Sequence, residues 1–86
     1  MFHLEITRDA HSPREPIVRR RFRSPERARA AFTAAVAEVA GLPTPYVVLH
    51  RAPDPGMSAW PVLAEHTKRG THHGRGWGRM TGGESR

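Results

Sequence analysis

Hydrophobic and polar positions alternate at the start of the chain. Phe2, Leu4 and Ile6 are each separated by one polar residue, a period of two that predicts a half-buried β-strand. The segment AHSPREP that follows contains two prolines and predicts a connecting loop. The alternation therefore predicts a sheet with one buried side at the N-terminus.

The second predicted strand, IVRRRF, has arginines on both of its sides. With Val18 and Phe22 toward the core, alternate positions face outward and form a row with a spacing of about 6.6 Å. The members of this row are Arg19, Arg21 and Arg23. Arg20 falls on the inner side, so we expect it at the sheet margin, beside an acid, or displaced by a bulge. Glu5 on the first strand is positioned to pair with one outward arginine.

The clearest helix is predicted over SPERARAAFTAAVAEVAGLP. Ser24 is a suitable N-cap, Pro25 suits the first helical position, and Gly41 is a stop signal. Apolar residues recur at helical spacing and form a stripe that can pack on a sheet. The residues of this stripe are Ala28, Phe32, Ala35, Val36 and Val39.

Two further strands are predicted after the helix. PYVVLHRA has an apolar centre, which indicates an interior position in the sheet, whereas Pro61 places AWPVLAEHT at an edge because proline donates no backbone hydrogen bond. Met57 and Trp60, near the turn APDPGMS, are expected to close the end of the core. The predicted fold class is α+β, a small two-layer sandwich of order β-β-α-β-β. One helix packs on a mainly antiparallel sheet, within a single domain over residues 1–67.

Residues 68–86 lose all hydrophobic periodicity and are predicted to form a flexible, Gly/Arg-rich basic tail. The segment GRGWGR is similar in composition to Gly/Arg segments of RNA-binding proteins, with a tryptophan to stack on a base and arginines to contact phosphates. The residues of the tail assigned to binding are Lys68, Arg69, Arg75, Trp77 and Arg79.

Composition narrows the classes of function. The chain has 86 residues and no cysteine, so we expect neither disulfides nor thiolate metal sites, and we expect a reducing, cytoplasmic location. No secretion signal and no apolar run near the roughly 20 residues of a membrane span is present, so no membrane partner is expected. The net charge of +6 predicts attraction to polyanions, of which nucleic acid is the commonest.

The leading hypothesis is a non-enzymatic module that binds nucleic acid, or a machine containing it, through the outward arginines and the tail. The sequence has no asparagine or glutamine, the usual adenine-reading side chains, so weak base preference is expected. The alternative is a small inhibitor or adaptor, similar in style to accessory proteins of bacteriophages and plasmids. Its arginines would contact an acidic protein surface, and strand one or strand four would pair with another sheet. No cofactor is expected, and the oligomeric state is left open.

Histidines provide the candidates for acid–base chemistry. His50 and His66 would share one side of the sheet if both of their strands alternate regularly. In size, charge and residue types the chain resembles the messenger-RNA-cleaving toxins of bacterial toxin–antitoxin systems, which implies a ribonuclease as a third hypothesis. No ordered motif supports a catalytic residue. His66, His72 and His73 are close in sequence but have no second ligand pair, so no metal is predicted.

Overall fold

The alternating residues at the N-terminus form the first strand of a five-stranded sheet in the computed structural model, which describes residues 1–53 and 55–78. The elements are β1 Phe2–Thr7, β2 Val18–Phe22, α1 Pro25–Val39, β3 Tyr46–Arg51, β4 Val62–Thr67 and β5 Gly70–His73. The strand order is β2-β1-β3-β4-β5, and all neighbouring strands are antiparallel. The two-layer α+β sandwich and the order β-β-α-β-β are confirmed, with a fifth strand after them.

The helix begins and ends as its sequence predicts. The Ser24 hydroxyl accepts a hydrogen bond from the backbone N–H of Arg27 at 3.2 Å, and Pro25 is the first helical residue. Gly41 has a φ of +89°, the left-handed conformation that glycine adopts readily after a helix. The predicted stripe faces the sheet, with Ala28, Phe32, Ala35 and Val39 buried and Val36 partly buried against the core.

The two sides of the sheet differ because only one of them is covered by the helix. In β1, Leu4 belongs to the core beneath the helix, and its cross-strand neighbours are Arg20 in β2 and Leu49 in β3. Glu5, the next residue along β1, points to the opposite side because side chains alternate along a strand. We call the side of the sheet away from the helix the open face.

Arg20 lies at the margin of the sheet, the first of the three positions expected for it. It is on the helix side of β2, opposite Leu4, but β2 is an edge strand and the side chain is exposed. There it lines a small pocket together with Arg8 and Glu38. Because β2 is at the edge of the sheet, the guanidinium of Arg20 can reach water although the Cα–Cβ bond of this residue is directed to the helix side.

The fifth strand corrects the prediction of a flexible tail from residue 68. Gly70–His73 pair with β4, and Trp77 is only 8% exposed within the hydrophobic core. A Cβ on Gly74 would collide with the backbone oxygen of Val62, so a side chain there would disturb this close approach. The absence of a side chain at Gly74 therefore lets the turn after β5 pack on the sheet. Residues 79–86 lie outside the described residues.

Strand β4 corrects two further expectations. It lies between β3 and β5 and not at an edge, because β5 pairs with its second side. Pro61 does not interrupt this pairing because it precedes the strand, and the Pro61 carbonyl accepts a hydrogen bond from the Arg51 N–H at 3.1 Å. The register also shifts within the β3–β4 pair: Ala64 is opposite Leu49, but Val62 is opposite His50. The extra residue is Leu63, and such a bulge reverses the alternation of the residues that follow it.

Candidate functional site

The open face presents two cross-strand rows that consist mainly of polar side chains. Strand pairing aligns Arg21, His3 and His50 in one row, which we call the histidine row. The second row, which we call the charged row, follows the next register position across all five strands. Its members are Arg19, Glu5, Val48, Glu65 and His72. Both rows depend on regular alternation in β1, β2 and β3, which places every second residue on this side.

Trp60 lies beside the histidine row. Its ring centroid is 5.0 Å from that of His3 and 6.2 Å from that of His50, and both ring pairs are close to perpendicular. The indole is 48% exposed, and Met57 in the same segment is 61% exposed. The expectation that these two residues close the core is therefore wrong, and Trp60 instead presents an aromatic surface on the open face.

The two histidines of this row have distinct environments. Burial lowers the pKa of His3 below its ordinary value of 6.5, and the nearby charges of Arg21 and the N-terminal ammonium lower the pKa further. His50 has a buried Nδ1 with no hydrogen-bond partner among the described residues. The His3 imidazole is therefore mainly neutral at pH 7, and the neighbouring His50 imidazole has unused hydrogen-bonding capacity.

The charged row is partly neutralised within the protein. Arg19 Nε lies 3.1 Å from Glu5 Oε2, which confirms that Glu5 pairs with one of the outward arginines. This is the one ion pair within residues 1–53 and 55–78, and its guanidinium side is well exposed. In the middle of the row, Val48 is only 1% exposed although it faces away from the helix. An exposed ion pair of this kind contributes little to stability, so it can be broken at little cost. Arg19 is therefore still available to bind an anion.

At the β5 side of the open face, polar and apolar groups together line an open pocket of about 420 Å³. Lys68 and Arg69 occupy the β4–β5 turn at its rim, and His72 lines it from β5. Tyr46 donates its hydroxyl to Glu65 at 2.9 Å inside the pocket. Burial and this contact with a carboxylate raise the pKa of Tyr46 to about 12, so its hydroxyl stays protonated at neutral pH.

The remaining predicted binding residues do not join this surface. Arg23 follows β2 in the bend before the helix, and its side chain is exposed. Arg75 lines a pocket with Pro25 and Leu63, which places it on the helix side. Trp77 is buried against Phe32 and stacked on His73, with the Arg29 guanidinium 4.7 Å from its ring centroid, so it has no free surface for a base. Arg79 lies outside the described residues.

The candidate acid–base pair of His50 and His66 does not form. His50 faces the open side, whereas His66 is opposite Val47 on the helix side, where its Nδ1 is 2.8 Å from Thr71 Oγ1. The bulge at Leu63 is the physical reason, because it shifts the alternation of β4 by one residue. His3 instead lies beside His50, a pairing that sequence reasoning missed although both residues occupy outward positions in their strands.

The described part of the chain has neither a cluster of metal-ligating side chains nor a helix that could cross a membrane. Within residues 1–53 and 55–78, no group of three or more histidine, aspartate or glutamate side chains is arranged to hold a metal ion. Over the same residues, no helix has the length and apolar character that crossing a bilayer requires. Comparisons with protein-family models, curated proteins and solved structures give no significant match.

Proposed function

We propose that this chain is a non-enzymatic binding module that engages nucleic acid, or a machine containing it, through the open face. The observation that supports the proposal best is the distribution of cations on this face: Arg19 and Arg21 lie at the β2 margin, and Lys68 and Arg69 lie at the turn beside β5. Of these four cations, only Arg19 forms an ion pair among the described residues. Four cations directed away from the helix provide a surface that attracts phosphates.

The dimensions of the face suit an extended polyanion. Strands in a sheet lie about 4.8 Å apart, so the two basic margins are separated by roughly 19 Å across β2 to β5. Between the margins lie the aromatic and imidazole rings of Trp60, His3, His50 and Tyr46. Basic groups flanking aromatic side chains on an open sheet are the combination used for single strands, whose backbone meets the cations while bases meet the rings.

The first experiment is capture of the tagged chain from lysate with and without nuclease, followed by measured binding to purified oligonucleotides. A triple Arg→Gln variant at positions 19, 21 and 69, the three arginines of the open face, should weaken binding by roughly tenfold or more. The matched control replaces three exposed arginines elsewhere, Arg14, Arg27 and Arg75. Both triple variants lower the net charge from +6 to +3 (6 − 3 = 3), so equal losses would show that total charge and not the open face controls binding.

The salt dependence gives an independent measure. If the four cations of the open face contact phosphates, log affinity for a single strand should fall with log salt with a slope of about −3, and for duplex DNA with a slope of about −4. An affinity that does not change with salt would contradict phosphate binding by these residues.

A second candidate function is supported by the edges of the sheet. The alternative of an inhibitor or adaptor of the kind encoded by phages and plasmids requires a free strand edge, and the edges are β2 and β5, not strand one or strand four. Ile17 is 45% exposed and Val18 43% exposed at the β2 edge. An acidic partner strand could pair there by β-augmentation. A partner protein that remains bound to the tagged chain after nuclease treatment would favour this function over the first.

A further inference from the structure

We propose that Trp60 and the histidine row form a site for one nucleotide unit of a single-stranded nucleic acid, with the base on the indole and the phosphate at Arg21 and His3. This inference rests on the proposed function and deepens it by naming the ligand class. It differs from binding by charge alone because it assigns contacts to an indole and an imidazole, those of Trp60 and His3, whose removal leaves the cationic margins unchanged.

The exposed ring of Trp60 provides the surface for the base. An indole that is 48% exposed beside two histidine rings presents apolar area to water on the face that the helix leaves uncovered. Trp77, the other tryptophan of the chain, is buried and cannot take this role. Unstacked bases bind to exposed aromatic rings independently of sequence, which agrees with the lack of asparagine and glutamine in this chain.

The donors to the phosphate lie on neighbouring strands at a suitable spacing. Arg21 and His3 are directly opposed on neighbouring strands, and His50 is directly opposed to His3 on the other side. Cross-strand neighbours lie about 5 Å apart, a separation at which two donors can contact oxygens of the same phosphate group. The Nδ1 of His50 is buried and has no partner within the described chain, so the phosphate contacts are assigned to Arg21 and His3.

The exposed indole favours a single strand over a duplex. In a duplex the bases are stacked on one another, so an aromatic side chain on a sheet surface finds no free base to contact. A single strand offers both an accessible base and an adjacent phosphate. The side-by-side placement of Trp60 and the Arg21–His3 pair therefore matches one nucleotide unit of a single strand.

Proton uptake should accompany binding. An anion at the row favours the charged imidazole, whose pKa in the free protein is lowered by burial, Arg21 and the N-terminal ammonium and is raised by Glu5. His50 faces His3 from β3 and lowers the pKa of His3 as well, whereas Trp60 and Val62 contribute no charge. Because binding raises a depressed pKa, affinity should increase as the pH falls through the range below 6.5 and should be constant well above it.

The test uses fluorescence anisotropy of the full chain with labelled oligouridylate and oligothymidylate of about 12 nucleotides and a duplex of the same length. Trp60→Ala should weaken single-strand binding by roughly 5- to 150-fold, the effect of losing one stacking partner. Met57→Ala, in the same exposed segment, is the matched control and should bind normally. In Trp60→Phe, an unlabelled oligonucleotide should no longer quench the tryptophan fluorescence, because only Trp77 remains.

The pH dependence is compared in His3→Gln and His66→Gln, the second of which removes a histidine on the helix side of the sheet. Between about pH 7.5 and pH 5.5, the wild type and His66→Gln should gain affinity by roughly 3- to 10-fold, and His3→Gln should gain clearly less. Circular dichroism confirms that each variant is folded.

The outcomes separate the two proposals. Unchanged binding in Trp60→Ala, duplex binding as tight as single-strand binding, or equal pH responses in the two histidine variants would overturn this inference while nucleic-acid binding itself stands. No binding of the wild type to any oligonucleotide would overturn the proposed function and this inference together.

Discussion

Replacement of Trp77 by alanine should destabilise the domain by about 3–5 kcal/mol, the range measured for large aromatic side chains removed from cores. Trp77 is 8% exposed, and its ring lies 5.4 Å from that of Phe32 and 4.3 Å from that of His73. A buried tryptophan removes about 150–250 Å² from water, worth roughly 4–6 kcal/mol at about 25 cal/mol per Å², an upper bound. A domain of this length typically has about 4–13 kcal/mol of total stability.

Urea unfolding followed by circular dichroism measures this effect. With a slope of about 1 kcal/mol per M, the midpoint should fall by about 3 M or more, or the variant should be unfolded in buffer. Trp60→Ala is the matched control and should change stability much less, because Trp60 is 48% exposed. Trp77→Phe should lose less than the alanine variant, since its ring can still contact Phe32. A change below about 0.5 kcal/mol in Trp77→Ala, the size typical of surface sites, would refute the buried position.

Two further predictions concern backbone packing and a single titration. Gly74→Ala should destabilise the domain by about 1–3 kcal/mol in thermal unfolding, because its Cβ would meet the Val62 carbonyl oxygen; Gly78→Ala, where a Cβ meets nothing within 4 Å, should be nearly neutral. Equal melting temperatures would contradict this packing. Glu65→Gln should lower the pKa of Tyr46 from about 12 toward 10, because it removes the carboxylate charge but not the burial. Ultraviolet absorbance reports this directly since the chain has one tyrosine, and an unchanged titration would contradict the contact.

Local sequence signals predicted the elements whose residues interact mainly with near neighbours. Ser24, Pro25 and Gly41 define the helix through capping and backbone preferences, and alternation placed Arg19 and Arg21 outward on β2. These features depend on residues a few positions apart. The fold class followed from them because a single amphipathic helix among short strands has few ways to bury its apolar side.

The features that sequence reasoning missed depend on contacts between distant segments. Gly74 and Trp77 belong to a segment that is indistinguishable in composition from a flexible tail, yet its turn packs on β4 and the helix. The bulge at Leu63 leaves no local signature, and it determines that His66 and His50 lie on opposite sides of the sheet. The proximity of His3 to Trp60 likewise depends on how β1 and β3 pair.

The position of β2 at the edge of the sheet has a consequence for the behaviour of the chain at high concentration. The unpaired N–H and C=O groups of an uncovered edge can pair with a strand of a second copy, and repeated pairing of this kind leads to aggregation. In an antiparallel encounter of two β2 strands centred on Arg20, Arg19 of one copy would oppose Arg21 of the other, and Arg20 would oppose itself. Like charges at directly opposed positions are unfavourable. The run of three arginines therefore disfavours the growth of fibres through the pairing of two β2 edges, whatever ligand the open face binds.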